Sequence, residues 1–171
     1  MNICLKKMTI ELSRIYHSQF VLDPDLFADK RQYQPYVYSE ESSDATVARY
    51  KKMGRIYLAV MLGDDPIGEV ILKGIDRDRK CCALGISMRS DEFKSRGFGT
   101  QAEILALRYA FEELGMETVF ADALIQNTRS QRVLAKAGFK QINQDRAFVY
   151  YRCDKPTWSV PETHQSDAEH S

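Results

Sequence analysis

The chain has 171 residues, of which 44% are hydrophobic and 28% charged, a composition typical of one soluble domain with a single core. Lysine plus arginine and aspartate plus glutamate both number 24, so the net charge of zero gives no electrostatic support for binding nucleic acid or an anionic membrane. No run approaches the roughly 20 apolar residues of a membrane span, and the N-terminus lacks a signal-peptide core, so we expect a cytoplasmic protein.

The cysteines are expected to be reduced thiols with no metal or disulfide framework. They show no C-x-x-C spacing, and no histidine lies at a spacing typical of zinc ligands. We therefore predict that the protein holds no metal.

The first third of the chain predicts one strand and two helices. Loose alternation of apolar residues predicts a strand from Met8 to Ile15. A helix is expected next, because Asp23 suits an N-cap and a proline follows it, and this helix ends before Pro35. A second helix is predicted from position 42 or 43 to Met53.

The middle of the chain changes to the period of strands. Three β segments are joined by short polar turns, which predicts an antiparallel meander. These segments run from Arg55 to Leu62, from Ile67 to Ile75 and from Cys81 to Met88.

The last third predicts two helices, each followed by a strand. The elements are a long helix from Thr100 to about Leu114, a strand from Glu117 to Ile125, a helix from Asn127 to Phe139 and a strand from Arg146 to Cys153. The final strand carries Tyr150 and Tyr151 and is expected to form an exposed sheet edge that permits a homodimer. One domain should therefore span residues 1–154, and the polar residues 155–171 should be a disordered tail in which Trp158 docks locally.

A glycine pair before the long helix, in the stretch KSRGFGTQA, indicates a phosphate site with two possible origins. Gly97, Gly99 and Ala102 match the dinucleotide pattern G-x-G-x-x-A, and Asp122 follows at about the 20-residue spacing of a ribose-binding acid. That fold needs an apolar parallel strand leading directly into the first glycine. Here the polar stretch RSDEFKS intervenes after a meander, which argues against a dinucleotide fold.

The alternative is a polar loop whose backbone amides, together with the positive end of the helix dipole, hold a pyrophosphate. This arrangement resembles the GNAT family of acetyl-CoA-dependent N-acetyltransferases, whose loop motif is Q/R-x-x-G-x-G/A. A second signature, N-x-x-S followed by G-F, is matched by NTRSQRVLAKAGF from Asn127. The resemblance extends from about Met8 to Asp154 and is most similar to the branch that contains ribosomal-protein N-terminal acetyltransferases.

The resemblance implies a fold and a set of residues that bind acetyl-CoA. The fold is a single α/β (α+β) domain with a mixed six- to seven-stranded sheet, about four flanking helices and two central strands that splay apart. The pyrophosphate loop corresponds to Lys94, Ser95, Arg96, Gly97, Phe98, Gly99 and Thr100, and the pantetheine contacts correspond to the backbone near Ser87, Met88 and Arg89, with Asn127 and Ser130. Lys94 departs from the motif, because a lysine binds phosphate as a point charge and lacks the bidentate fork of arginine.

The acid and the base of the transfer reaction are less well specified by the sequence. The family's frequent tyrosine acid corresponds to Leu134, which leaves the Ser130 hydroxyl or water to donate to the thiolate. No carboxylate lies on the strand from Cys81 to Met88, so Glu69 and Asp122 are the candidate bases. Without a strong base an α-amine is favoured, because deprotonating a lysine side chain costs about 3.5 kcal/mol more.

The acceptor pocket is expected between the early helices and the sheet. The residues there combine aromatic rings with acids, which suits a cationic amine; they are Tyr33, Tyr36, Tyr38, Glu40 and Glu41. The function expected is direct acetyl transfer from acetyl-CoA to a primary amine in a ternary complex. The alternatives are a non-catalytic acyl-CoA-binding module of the same fold and, less favoured, a dinucleotide-dependent oxidoreductase.

Overall fold

The computed structural model describes residues 2–27 and 29–161, which contain seven strands. The strands are β1 (Cys4–Lys7), β2 (Ile56–Leu62), β3 (Asp65–Asp76), β4 (Cys81–Met88), β5 (Thr118–Leu124), β6 (Lys140–Gln144) and β7 (Phe148–Asp154). They form one sheet in the order β1-β2-β3-β4-β5-β7-β6, in which only β4 and β5 run parallel. The predicted mixed sheet is therefore confirmed, as is the meander of β2, β3 and β4.

Four α-helices flank this sheet in the described part of the chain. They are α1 (Ile10–Ser18), α2 (Glu40–Lys52), α3 (Phe98–Arg108) and α4 (Thr128–Ala137), and α3 continues as a π-helical turn over Tyr109–Glu113. The helices α1 and α2 pack together against β2 and β3, whereas α3 and α4 pack together and contact β4 and β5. None of the described helices has the length and apolar character needed to cross a membrane.

The predicted strand from Met8 to Ile15 is wrong, because most of this segment is α1. The Thr9 hydroxyl accepts a hydrogen bond from the Leu12 N–H at 3.1 Å and caps the helix. The buried side chains Ser13, Tyr16 and His17 recur at helical spacing. The first strand lies earlier in the chain, at β1.

The predicted helix after Asp23 is also wrong. The chain there forms two short 3-10 turns, Pro24–Leu26 and Lys30–Gln32. This segment crosses the end of the sheet, where the Val21 N–H donates to the Arg89 carbonyl at 2.9 Å. The next helix, α2, begins earlier than predicted because the Ser39 hydroxyl caps it by accepting from the Ser42 N–H.

The last strand in the sequence is not the edge of the sheet, which corrects another prediction. β7 lies between β5 and β6, so Tyr151 is buried. The edge is β6, whose residues are all exposed. Its sequence, KQINQ, offers too little apolar alternation to be identified as a strand.

Residues 155–161 pack on the domain through Trp158, and the rest of the predicted tail, residues 162–171, lies outside the described residues. The Trp158 indole N–H donates to the Ala137 carbonyl at 2.9 Å, at the C-terminus of α4. Gly138 follows in the left-handed conformation with a φ of 104°. A Cβ at this glycine would lie 2.8 Å from the indole ring, so a side chain there would force Trp158 to shift.

The helix α3 carries an ionisable side chain into the hydrophobic core. Glu103 is only 3% exposed, and its Oε2 atom has no hydrogen-bond partner in the described structure. Burial raises the pKa of this carboxyl from 4.5 to about 8. Glu103 is therefore predominantly neutral at pH 7 in the folded protein.

Candidate active site

The strands β4 and β5 are paired over only part of their length. Cys81–Leu84 pairs with Thr118–Ala121, and the ladder ends there. Both strands continue, β4 to Met88 and β5 to Leu124, so their carboxyl ends separate, as predicted for the two central strands. A cleft of about 670 Å³ opens at this point, lined by the loop at 20–26, the end of β4, the glycine loop, the start of α3 and one side of α4. This volume lies in the range of small-molecule and cofactor sites.

The backbone at the start of α3 presents donors to this cleft. Gly97 precedes the helix in the left-handed conformation, with a φ of 83°, and its carbonyl accepts the first helical bond, from the Gln101 N–H at 3.0 Å. The N–H groups of the first turn have no acceptor within the helix; they belong to Phe98, Gly99 and Thr100. Together with the helix dipole they favour an anion at this end of the cleft.

The side chains of the predicted loop contribute less than its backbone. Phe98 and Thr100 are buried, whereas Ser95 and Arg96 are exposed. The Arg96 guanidinium lies 5.4 Å from the centre of the Phe98 ring. Gly99 faces Val133 of α4, and a Cβ there would lie 3.7 Å from its methyl groups, so the two helices approach closely beside the cleft.

Lys94 lines the cleft but contacts two carboxylates. Its ammonium group lies 2.7 Å from Asp23 Oδ2 and 2.7 Å from Asp91 Oδ1. The Lys94 and Asp23 side chains are only 16% and 15% exposed, so this pair is better shielded from solvent than a surface salt bridge. The role of Lys94 toward phosphate stays a prediction, and Asp23 is a competitor for its charge that the sequence did not indicate.

Three cations on α4 line the same cleft and were missed by the sequence analysis. They are Arg129, Arg132 and Lys136. Their spacing of three and four residues places them on one helix face, and that spacing was the signal available in the sequence. They add positive charge to the cleft, and the Arg129 guanidinium also lies 3.5 Å from Asp91.

The three residues predicted to contact the pantetheine differ in the direction of their backbone groups. The Arg89 N–H donates to the Ile67 carbonyl at 2.8 Å, and its carbonyl accepts from Val21, so Arg89 has no free backbone group. Hydrogen-bonded pairs alternate along an antiparallel ladder, so Ser87 faces β3 and Met88 turns its backbone groups toward the gap. The backbone groups of Ile86, two residues earlier, also face the gap, although Ile86 is not among the predicted contacts.

The start of α4 positions the second signature at the cleft. Asn127 is the N-cap, and its Oδ1 atom accepts from the Ser130 N–H at 3.0 Å. Asn127 and Ser130 both line the cleft. Leu134, at the position of the family's tyrosine, has no ionisable group and is buried in the hydrophobic core.

Glu69 lies next to the cleft on β3, directly opposite Ser87. Its carboxylate accepts a hydrogen bond from the Tyr57 hydroxyl at 2.6 Å. Burial raises the pKa of Glu69, and the hydrogen bond from Tyr57 opposes this in part. The raised pKa makes Glu69 a stronger proton acceptor than an ordinary carboxylate.

The aromatic residues expected at the acceptor pocket divide into two groups. Tyr36 is half-buried, and the pKa of its hydroxyl is raised by burial and then by the charge of Glu69. Its ring meets Phe20 edge-on with centroids 5.3 Å apart. Tyr33 packs instead against Phe27, and no contact brings it to Glu69. Of the two predicted acids, Glu40 lies 3.0 Å from the Arg14 guanidinium on the α1 side, and both Glu40 and Glu41 are exposed.

Asp122 is not among the residues that line the large cleft. It is exposed on β5 and lines a shallower depression with Phe120, Asn143 and Tyr150. Strand pairing places Asp122 on the same sheet face as Glu69 but two strands away, at about 10 Å before the splaying is added. The structure therefore does not bring the two candidate bases together.

The arrangement can hold an acyl thioester and remove a proton beside it. An anion-binding end is formed by the start of α3 and the cations of α4, and a slot with free backbone groups leads from it along Met88. A carboxylate with a raised pKa lies one strand from that slot. No group of three or more potential metal ligands occurs within residues 2–27 and 29–161.

The fold is similar to that of several solved acetyltransferases. The AAC(6')-Ib structure with ribostamycin and coenzyme A has a TM-score of 0.75 at 15% identity, over 98% of this chain and 100% of that chain. Spermidine N-acetyltransferase from Vibrio cholerae, in complex with CoA and spermine, has a TM-score of 0.72 at 14% identity, over 90% of this chain and 96% of that one. The ribosomal-protein-S5-alanine acetyltransferase from Vibrio fischeri has a TM-score of 0.73 at 14% identity, over 93% and 96% of the two chains.

These identities establish likeness of fold only. No curated protein sequence matches the chain. The sequence profile of the Acetyltransferase (GNAT) domain, however, matches residues 2–140, which is most of the molecule. Together with the splayed strands and the glycine loop, this match shows that the chain belongs to the GNAT acetyltransferase family.

Proposed function

We propose that the protein is an N-acetyltransferase that moves the acetyl group of acetyl-CoA directly to a primary amine in a ternary complex. The observation that carries this proposal is the continuity of the cleft, from the free amides at the start of α3 to the gap beside Met88 and Glu69. The amides and the α4 cations would bind the pyrophosphate and 3'-phosphate. The extended pantetheine would then lie along the free backbone groups of β4.

The reacting groups are assigned from what faces the gap. The Met88 N–H would donate to the thioester carbonyl and stabilise the oxyanion that forms there. Glu69 would accept the proton of the acceptor ammonium, and it is preferred to Asp122 because it is half-buried and adjoins the cleft. Ser130 would donate to the departing thiolate. A thiol with a pKa of about 8.5 leaves readily near neutral pH, so the absence of a tyrosine at Leu134 does not prevent the reaction.

An amine acceptor is supported by the chemistry of the site and by structural neighbours. Similar structures act on an aminoglycoside, on spermidine and on a ribosomal-protein alanine, all of which present amino groups. The Glu69 carboxylate, whose charge helps to raise the pKa of Tyr36, suits a cationic amine. With Glu69 as base, both α-amines and side-chain amines are acceptable substrates.

The first experiment separates cofactor binding from catalysis. Saturating acetyl-CoA is expected to raise the melting temperature of the protein, whereas NADPH is not, because only a ligand of the native state stabilises it. No rise with acetyl-CoA would refute the proposal.

The second experiment measures release of the CoA thiol with a panel of peptides, polyamines, aminoglycosides and small amines, with mass spectrometry of the products. Acetylation of at least one amine is expected. Binding of acetyl-CoA with no product from any amine would favour a non-catalytic acyl-CoA-binding module instead.

A further inference from the structure

The sheet face that carries Glu69 is open over β5 and β7 in the described part of the chain. The helices α1 and α2 contact this face at β3 and β2. Strand pairing places four further side chains on the same face, all of them half-buried or exposed: Phe120, Asp122, Tyr150 and Arg152. A depression of about 360 Å³ lies there, bounded at the sheet edge by Ile142 of β6. The reaction proposed above makes no use of this depression.

The depression combines aromatic rings with a carboxylate that is available to a ligand. Asp122 is exposed, and its side chain forms no ion pair or hydrogen bond with any residue that the structure describes. The Arg152 guanidinium on the same face lies 5.9 Å from the centre of the Phe120 ring, and Asp154 holds it at 2.9 Å. The Tyr150 hydroxyl donates to a carboxylate at 2.7 Å, which fixes the ring beside Asp122. An open carboxylate next to aromatic rings suits an ammonium group.

A glycine keeps the surface open between this depression and the reaction centre. The pairing of β4 with β5 ends immediately before Gly85 and Asp122, which lie side by side. No described atom comes within 4 Å of the position that a Cβ would take at Gly85, so the surface is open at this point. Two residues further along β4 is Ser87, which lines the large cleft and lies opposite Glu69. A slender chain can therefore lie across Gly85 with one end at Asp122 and the other beside Glu69.

We propose that Asp122 and the Tyr150 ring form a subsite for a second positive charge on the acceptor. This inference rests on the proposed acetyl transfer, in which Glu69 takes the proton of the reacting amine. Two strand spacings separate Glu69 from Asp122, so the second charge lies about 10 Å from the reacting nitrogen. Asp122 is then a specificity-determining residue, and the acceptor is an amine with a second cationic group at that distance.

A pair of substrates of equal length tests the subsite. An α,ω-diamine with seven carbons holds its two nitrogens about 10 Å apart when extended, and heptylamine is the matching monoamine without the second charge. The wild-type protein should have a higher kcat/KM for the diamine, by more than the factor of two that its two equivalent ends supply. A four-carbon diamine is too short to reach both sites, so its advantage over butylamine should not exceed that factor.

The variant Asp122→Asn removes the charge and keeps the shape of the side chain. The preference for the seven-carbon diamine over heptylamine should fall by at least about threefold, through the KM of the diamine, as for an exposed charge pair beside an aromatic ring. Asp122→Glu keeps the charge and should keep the preference. Asp78→Asn, which removes an exposed carboxylate in the turn between β3 and β4, is the matched control and should also keep it.

Salt adds a readout that a merely structural role would not change. Raising the ionic strength should weaken the diamine preference of the wild type, because exposed charges are screened, and should have little effect on that of Asp122→Asn. A wild-type protein that acetylates both amines equally well would overturn the subsite alone. An equal loss of kcat with both amines in Asp122→Asn would also overturn it, since Asp122 would then act on the reacting nitrogen. A wild-type protein that acetylates no amine would overturn the proposed function and the subsite with it.

Discussion

The buried carboxyl of Glu103 makes the stability of the protein depend on pH in a specific way. In the unfolded chain this group ionises near pH 4.5, whereas in the fold it holds its proton to about pH 8. Between these values the native state binds one proton more than the unfolded state. The free energy of unfolding therefore decreases as pH rises through this window and is constant, for this group, outside it.

The size of the effect follows from the two pKa values. Each pKa unit corresponds to about 1.4 kcal/mol, so the difference between 4.5 and about 8 corresponds to about 5 kcal/mol above pH 8. At pH 7 the loss is about 3 kcal/mol. The free energy of unfolding of a single domain is only about 5–15 kcal/mol, so the ionisation of Glu103 alone removes a large fraction of it.

The substitution Glu103→Gln keeps the shape of the side chain and removes its titration. We expect the variant to equal the wild type in stability near pH 4.5 and to exceed it by about 3 kcal/mol at pH 7. Urea unfolding at half-unit intervals from pH 4.5 to pH 8 measures this difference. Glu112→Gln, an exposed carboxylate later along the same helical run, is the matched control. Parallel pH profiles for the wild type and Glu103→Gln would refute the reasoning.

Three further predictions concern the site and the C-terminal segment. Asp23→Asn should tighten acetyl-CoA binding in calorimetry, because the neutral amide no longer competes with phosphate for the Lys94 ammonium; equal or weaker binding would contradict a phosphate role for this lysine. Glu69→Gln should lower kcat by about 10²–10⁴-fold and abolish the acid limb of the pH–rate profile, whose midpoint in the wild type should lie above 4.5; a variant that keeps this limb would exclude Glu69 as the base. Gly138→Ala should lower the free energy of unfolding by at least about 1 kcal/mol, because its positive φ and the adjacent Trp158 ring both oppose a Cβ; an unchanged urea midpoint would argue against the docked indole.

The elements that the sequence predicts well are those with strong local signals. The meander from β2 to β4 follows from alternation and short turns, and α4 follows from its Asn127 cap and the glycine that ends it. The strand predicted from Met8 to Ile15 is instead mostly α1, because the buried positions of this helix include a serine and a histidine, which a hydrophobic pattern does not count. β6 was missed because an exposed edge strand needs no apolar face.

Only the parts of the candidate site that depend on local backbone conformation could be predicted from the sequence. The glycine loop and the cap of α4 depend on residue types with known local geometry, so their positions follow from the sequence. The partners of individual side chains depend on tertiary contacts between distant segments. Neither the pairing of Lys94 with Asp23 nor the burial of the Tyr16 hydroxyl has a local signal, since each is created by contacts between segments that are distant in the sequence.

The separation of β4 from β5 has a consequence for exchange of backbone hydrogens with solvent. Residues within the paired part, such as Cys82 and Leu84, lie where β4 has a paired strand on each side. The amides of Ile86 and Met88 face the gap, so in the free protein they should exchange rapidly even though they belong to a central strand. A thioester arm bound in extended form would act as a substitute strand and slow both of them. Slowed exchange confined to alternate residues of one strand would thus report the orientation of the cofactor without a crystal.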